Sequence, residues 1–286
     1  MARDFANDPA DRGIRSIVEH IYLSYLHRRA SPYLGLERSA IVFTPHPDDE
    51  TLGCGGTIAR KVRAGARVQI VVMTDGSRSH AHLMDSGELA RLRTEEMRRA
   101  ASRLGVDDDR LTFLAHEDGR LAESKEKAIA QVVALLGSER PEEVFVTYSG
   151  EAHADHRATT DIVRSALSAL PESDATPTVY EYPIWTWNRW PFVPTEIGGV
   201  RGAAGTAARV VKGMVEVVEQ FRCKSFIGDV LDVKRAALEE HRTQTSRHDG
   251  DERWSTFNDV AEGRWLECFF RNWELFRQVE YRARTP

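Results

Sequence analysis

Three nearly uninterrupted apolar runs, each closed by a turn signal, constrain this 286-residue chain more than any other feature. Ala40-Ile-Val-Phe-Thr44 ends at Pro-His-Pro, Val68-Gln-Ile-Val-Val-Met-Thr74 at Asp75-Gly76, and Glu143-Val-Phe-Val-Thr-Tyr148 at Ser149-Gly150. Strands this apolar on both sides belong in a sheet covered on both faces. Leu111-Thr-Phe-Leu114 and Val179-Tyr-Glu-Tyr182 are weaker strand candidates. Amphipathic helices lie between them. Ala90, Thr94, Met97, Ala101 and Leu104 form one stripe, opened by Asp85 with Glu88 three residues on and closed by Gly105. Ile129, Val132, Val133 and Leu136 form a second, and Ala158, Ile162, Ala166 and Ala169 a third. Strand–helix alternation at this spacing predicts βαβ crossovers and an α/β fold with a mainly parallel sheet and helices on both faces. In such sheets functional loops gather at the carboxyl ends of the strands.

Length alone leaves one large domain and two small ones open, at about 150 residues per domain. Lys and Arg total 39 against 44 Asp and Glu, a net charge of −5, so no global basic field points to nucleic acid. Cys54, Cys223 and Cys268 are too scattered for a disulfide framework or a zinc finger and suit a reducing cytosol. The start of the chain lacks the apolar core of a secretory signal, and no apolar run approaches the ~20 residues of a membrane helix. The expectation is a cytoplasmic protein without a membrane anchor.

From about Pro183 the pattern changes. Six aromatics fall within the thirteen residues Tyr180 to Phe192, followed by Gly198-Gly199 and a run of small residues from Gly202 to Ala208. A further helix is expected from about Asp229 to Arg242, with Val230, Val233, Ala237 and His241 on one face, before an aromatic-rich tail.

Chemistry concentrates in two places. Pro45-His-Pro-Asp-Asp-Glu50 follows the first strand directly, and His153-Ala-Asp-His156 follows the strand that ends near Tyr148. Two His and one carboxylate with an open position make a catalytic zinc set, and iron(II) suits the same donors. Pro47 stiffens the turn that would present them. The plain alternatives are that the acidic residues only cap the following helix and that His153 and His156 are surface residues at a helix start.

The two motifs together resemble the PIG-L/LmbE-like zinc-dependent N-deacetylases, which act on N-acetylglucosaminyl conjugates. Thr74-Asp-Gly76, Arg93 with Glu96, and Lys234-x-x-Ala237 with His241-x-x-Gln244 add weaker matches. The resemblance implies an LmbE-like, Rossmann-like three-layer fold. It also implies zinc ligands His46, Asp49 and His156, Asp48 as general base, and His153 as oxyanion stabiliser or general acid. Asp155 would hold the His153 ring and raise its pKa, or else serve as a first-turn helix carboxylate. The expected organisation is one deacetylase domain over residues 1–286, with a core of about 39–245. An aromatic, glycine-rich insertion would span about 182–225 and an aromatic tail about 250–286. The substrate expected is an N-acetylated amino-sugar small molecule. Hydrolysis of a non-acetyl amide of a sugar conjugate, or sugar binding with weak catalysis, stand as alternatives.

Other features weigh less. Gly53-Cys-Gly-Gly56 lacks the remaining signature of a phosphate loop and reads as small residues that let a helix approach the sheet. Cys54 reads as a buried small apolar residue. Arg78 suits a sugar hydroxyl or phosphate contact, or a solvated loop. Arg93 and Glu96, three apart on a helix, read as an ion pair, and His241 as a core histidine. Trp185 and Trp187 suit stacking on a sugar or an apolar aglycone, and equally a core or a homo-oligomer interface. The C-terminal Trp and Phe residues read as packing.

Overall fold

Turn residues and apolar runs divide the chain where the sequence pattern places them. The computed structural model describes residues 9–171, 176–193 and 200–280; Gly198-Gly199 and the last six residues of the expected tail lie outside these. Helix α1 (Pro9–Arg29) and a short strand β1 (Ser31–Pro32) precede the expected alternation. There follow β2 (Ala40–Thr44), α2 (Asp49–Arg63), β3 (Val68–Thr74), α3 (Ser86–Arg103), β4 (Leu111–His116), α4 (Lys125–Glu139), β5 (Glu143–Thr147) and α5 (Ala154–Ser168). The later chain supplies β6 (Thr178–Tyr182), α6 (Val200–Gln220), β7 (Cys223–Phe226), α7 (Leu231–Glu239), α8 (Arg242–Thr245), α9 (Arg264–Glu267) and β8 (Trp273–Val279). The Asp85 side chain accepts the Glu88 amide and starts α3, as the sequence predicts.

Among the described residues one eight-stranded sheet runs in the order β1-β7-β8-β6-β5-β2-β3-β4. Its described neighbours are parallel except where β8 inserts antiparallel between β6 and β7. Successive strand residues face opposite ways, so each strand feeds two cores. Ile41, Phe43, Val71 and Val144 pack with Ala128, Val132, Ile162 and Ala166 of α4 and α5. Val42, Ile70 and Val72 pack on the other face with Leu52, Ile58, Met97, Ala100 and Ala237 of α2, α3 and α7. The three-layer α/β architecture is therefore as expected, with a mixed rather than purely parallel sheet.

The glycines of α2 serve close approach. A Cβ at Gly53 would lie 2.1 Å from the Tyr182 ring, and one at Gly56 would lie 2.6 Å from Ile227. Cys54 between them is buried and leaves helical geometry (φ −146°, ψ 17°), which breaks the ladder of α2. Glu274 of β8 takes up backbone amides beside that kink, accepting from Gly56 N and Thr57 N at 2.8 Å each. Its charge is met by Lys234 Nζ at 2.8 Å, so both buried ions are paired and hydrogen-bonded.

One expectation changes, and two spans left without assigned elements gain them. The late helix is shorter than Asp229–Arg242, and His241 lies beyond it, at the N-terminal boundary of α8, where its carbonyl accepts the Gln244 amide. Part of the expected insertion is the regular helix α6. The aromatic tail contains β8, which lies inside the sheet between β7 and β6. Among the described residues no helix is long and apolar enough to cross a membrane.

Candidate active site

β2 and β5 are parallel neighbours, yet the chain leaves β2 toward β3 on one side and β5 toward β6 on the other. The loops after their carboxyl ends diverge and open a crevice, the place where such sheets bind ligands. The β2 loop carries His46 and Asp48 and enters α2 at Asp49; the β5 loop carries His153 and enters α5, whose first turn holds Asp155 and His156. The β2 loop is pinned at its base, because the Pro45 carbonyl accepts both Thr74 N (3.0 Å) and Thr74 Oγ1 (2.8 Å).

Asp49 Oδ2 is the meeting point, 3.1 Å from His46 Nδ1 and 3.3 Å from His156 Nε2. Donors about 2.0–2.1 Å from a tetrahedral metal lie roughly 3.3 Å apart, so these separations match ligands around one ion. Both ring nitrogens of His156 are buried and have no hydrogen-bond partner among the described residues, as does Nδ1 of His153. Buried donors of this kind are costly unless something else satisfies them. His46, His153 and His156 also present nitrogens close enough to share an ion. The set fits a divalent metal.

The far nitrogen of His46 faces Asp118 Oδ1 (3.3 Å) and Asp155 Oδ2 (3.4 Å). Carboxylates there fix the tautomer that turns Nδ1 toward Asp49. Burial opposes charge on His46, but Asp118, Asp155 and Asp49 outweigh it and hold its pKa well above the usual value. Asp155 is thus not the partner of His153. Its carboxylate also accepts the Gly119 amide (2.6 Å) and the Leu121 amide (3.3 Å), tying α5 to the β4 loop. The expected rise of the His153 pKa is reversed: burial and the neighbouring His46 and His156 push it down.

Asp48 has φ 133°, a conformation that costs a non-glycine residue about 1–3 kcal/mol and persists only where surroundings enforce it. Arg93 does so. Its Nη2 donates to the Pro47 carbonyl (2.8 Å) and to Asp48 Oδ2 (2.7 Å), and Nη1 donates to the Gly76 carbonyl (2.9 Å). The expected Arg93–Glu96 ion pair is therefore absent; Glu96 instead accepts from Thr243 N (2.9 Å) and Oγ1 (2.6 Å). Burial raises the Asp48 pKa to about 7, with Arg93 working against the rise.

A cavity of about 410 Å³ opens on this centre. Arg78 lines it, as do Trp185, Trp265, Phe257 and Gln244. Trp187 is not brought there: it is 5% exposed and packs edge-on against Phe192 at 4.9 Å. Two residues apart in a tight turn, the indoles point to different places. Asp118 was missed in the sequence, where it stands alone beyond a weak strand; its position at the carboxyl end of β4 was the available signal. Phe257 and Trp265 of the tail were read only as packing.

A family profile described as PIG-L, GlcNAc-PI de-N-acetylase, matches residues 41–167, which include both motifs. A 1D-myo-inositol 2-acetamido-2-deoxy-alpha-D-glucopyranoside deacetylase of Streptomyces avermitilis is 30% identical over 73% of this chain and 83% of its own. The chain belongs to the PIG-L family. A relative of the same description from Rhodococcus opacus is 28% identical over 85% of this chain and 99% of its own. Membership bears out the resemblance carried by the two motifs and the reading of the chain as a deacetylase. The N,N'-diacetylchitobiose deacetylase of Pyrococcus horikoshii shares the fold, with a TM-score of 0.58, 22% identity and coverage of 96% of this chain and 94% of that one. So does a 4-carboxy-2-hydroxymuconate hydratase of Pseudomonas putida, with a TM-score of 0.58, 19% identity and coverage of 87% and 99%. The fold by itself therefore serves more than one reaction, and the argument for PIG-L chemistry rests on the site.

Proposed function

We propose that this PIG-L member hydrolyses the N-acetyl group of a glucosamine-containing small molecule or glycoconjugate, with zinc held by His46, Asp49 and His156. The observation that carries the reading is the convergence of two imidazoles on one Asp49 oxygen, with the strained Asp48 beside them in an open cavity. Zinc, when bound, supplies Lewis acidity toward an amide carbonyl and toward water at neutral pH.

The chain's own residues do the rest. Arg93 holds Asp48 Oδ2, which leaves Oδ1 to take the proton of the attacking water and pass it to the leaving amine. The products balance as acetate and a free amino sugar. His153 is kept neutral by burial and its neighbours, and a neutral imidazole still donates one N–H to the oxygen that gains charge. Asp118 and Asp155 orient His46 through its far nitrogen. Arg78 binds a sugar hydroxyl in this reading, which its position in the cavity wall supports.

The reading includes a cytoplasmic setting, supported by Cys54, Cys223 and Cys268 being buried free thiols. The decisive experiment supplies zinc-loaded protein with a panel of N-acetylglucosaminides and measures acetate. Release from at least one, abolished by a chelator and restored by zinc, is the expected result. Metal binding with no acetate from any of them would sink the proposal.

A further inference from the structure

The lining of the cavity divides chemically into the charged group around Asp48 and an aromatic group made by Trp185, Trp265 and Phe257. Trp185 stacks on Trp265 at 4.7 Å and 17°. Trp265 is fully buried, meets Phe257 at 5.4 Å, and donates its indole N–H to the Ile184 carbonyl at 3.3 Å. Trp185 itself stays only half-buried, open to the cavity. A single buried carboxylate sets its position. Glu151 accepts the amides of Ile184 (2.8 Å), Trp185 (2.8 Å) and Thr186 (3.1 Å) and the Thr186 hydroxyl (2.7 Å). Glu151 stands two residues before His153, so the indole is tied to the loop that carries a proposed catalytic histidine. Trp187 is buried and faces away from this cavity, toward Phe192. Trp185 is held rigidly and left open, the arrangement of an aromatic binding face rather than of a core residue.

We propose that Trp185, backed by Trp265 and Phe257, is the specificity wall for a ring-shaped aglycone. The inference rests on the deacetylase reading above and narrows it. The substrate is an N-acetylglucosaminide whose group beyond the glycosidic oxygen presents a flat apolar face, either an aryl ring or the C–H face of a second pyranose. Glu151 is a positioning residue that acts through Trp185.

The test compares p-nitrophenyl, methyl and disaccharide glucosaminides on the metal-loaded protein. Binding of the amine products is read by calorimetry, and kcat/KM is read on the acetylated forms. The p-nitrophenyl product is expected to bind about 10-fold more tightly than the methyl one. Trp185→Ala should bring that ratio to about 2, and Trp185→Phe should restore most of it. Glu151→Gln should lower the ratio part of the way. A disaccharide that behaves like the aryl compound assigns the pyranose face, and one that behaves like the methyl compound assigns the aryl ring. No preference in the unaltered protein, or equal weakening of all three ligands by Trp185→Ala, overturns the wall. A binding preference lost in Trp185→Ala with no acetate released keeps the wall and removes the deacetylase reading instead.

Discussion

The two halves of the cavity are held by opposite means. The metal-loop half comes from residues within 41–167, the part that the family profile matches, and His46, Asp48 and Asp155 in it are locked by buried polar contacts. His46 is gripped at both nitrogens, and Asp48 is forced into positive φ by Arg93. The aromatic half comes from later residues and is held by stacking and by one carboxylate, Glu151. A polar network in a low dielectric fails as a unit when one member is removed. A stacked wall loses contact area in proportion to what is cut away. The proposed chemistry thus sits where contacts are interlocked, and the proposed selectivity where they add up one by one.

That contrast breaks most directly at His156. His156→Ala should leave metal content near zero by elemental analysis and cut turnover at least about 10³-fold, since several kcal/mol of transition-state stabilisation goes with the metal. Trp185→Ala should keep its full metal content. Equal metal loss in both would erase the distinction between the halves. Asp48→Asn should retain metal while kcat falls about 10²–10⁴-fold; unchanged turnover would remove Asp48 as the base. Asp118→Asn should act more mildly, weakening metal affinity about 10–100-fold in a competition titration through loss of the grip on His46. An unaltered affinity would make Asp118 a bystander.

The smallest effect is on the pH dependence of the metal-free protein. Burial works against ionisation of Asp49, Asp118 and Asp155, yet His156 and then His46 at Asp49, and His46 at Asp118 and Asp155, outweigh it and lower all three pKa values. Their contribution is complete above the unfolded carboxylate pKa of about 4 and is lost as pH falls below it. His46 is raised, so its contribution is complete below about pH 6.5 and is lost as pH rises through its folded value. Scanning calorimetry should find the highest Tm between these limits. A Tm that climbs steadily to pH 9 would contradict the carboxylate–imidazole contacts.

The βαβ core was legible because its signals are local: an apolar run, a turn, a stripe at helical spacing. Both motifs were legible because they stand at strand ends, where the fold must put its site. What escaped depends on packing between distant segments. The i,i+3 rule joins Arg93 to Glu96, but α3 lies so that Arg93 reaches Asp48 and Glu96 reaches Thr243, the latter 147 residues away. Asp155 lies two residues from His153, yet α5 turns its carboxylate to His46. Trp185 and Trp187 read alike in the sequence and are separated by a single 3₁₀ turn. Asp118 carries no mark of its own, since one Asp after a half-buried edge strand is ordinary until its loop reaches past β3 to His46 in the loop after β2.

The bond from Glu274 to α2 sets an order of assembly. During synthesis the metal loop and its helix emerge early, but the carboxylate that satisfies Gly56 N follows 218 residues later. At ribosomal rates of about 5–20 residues per second, the kinked helix waits at least ten seconds or so for its brace. Contacts so distant in sequence also slow the closing of the fold. The helix that follows the proposed metal loop is thus completed only across 218 residues of intervening chain.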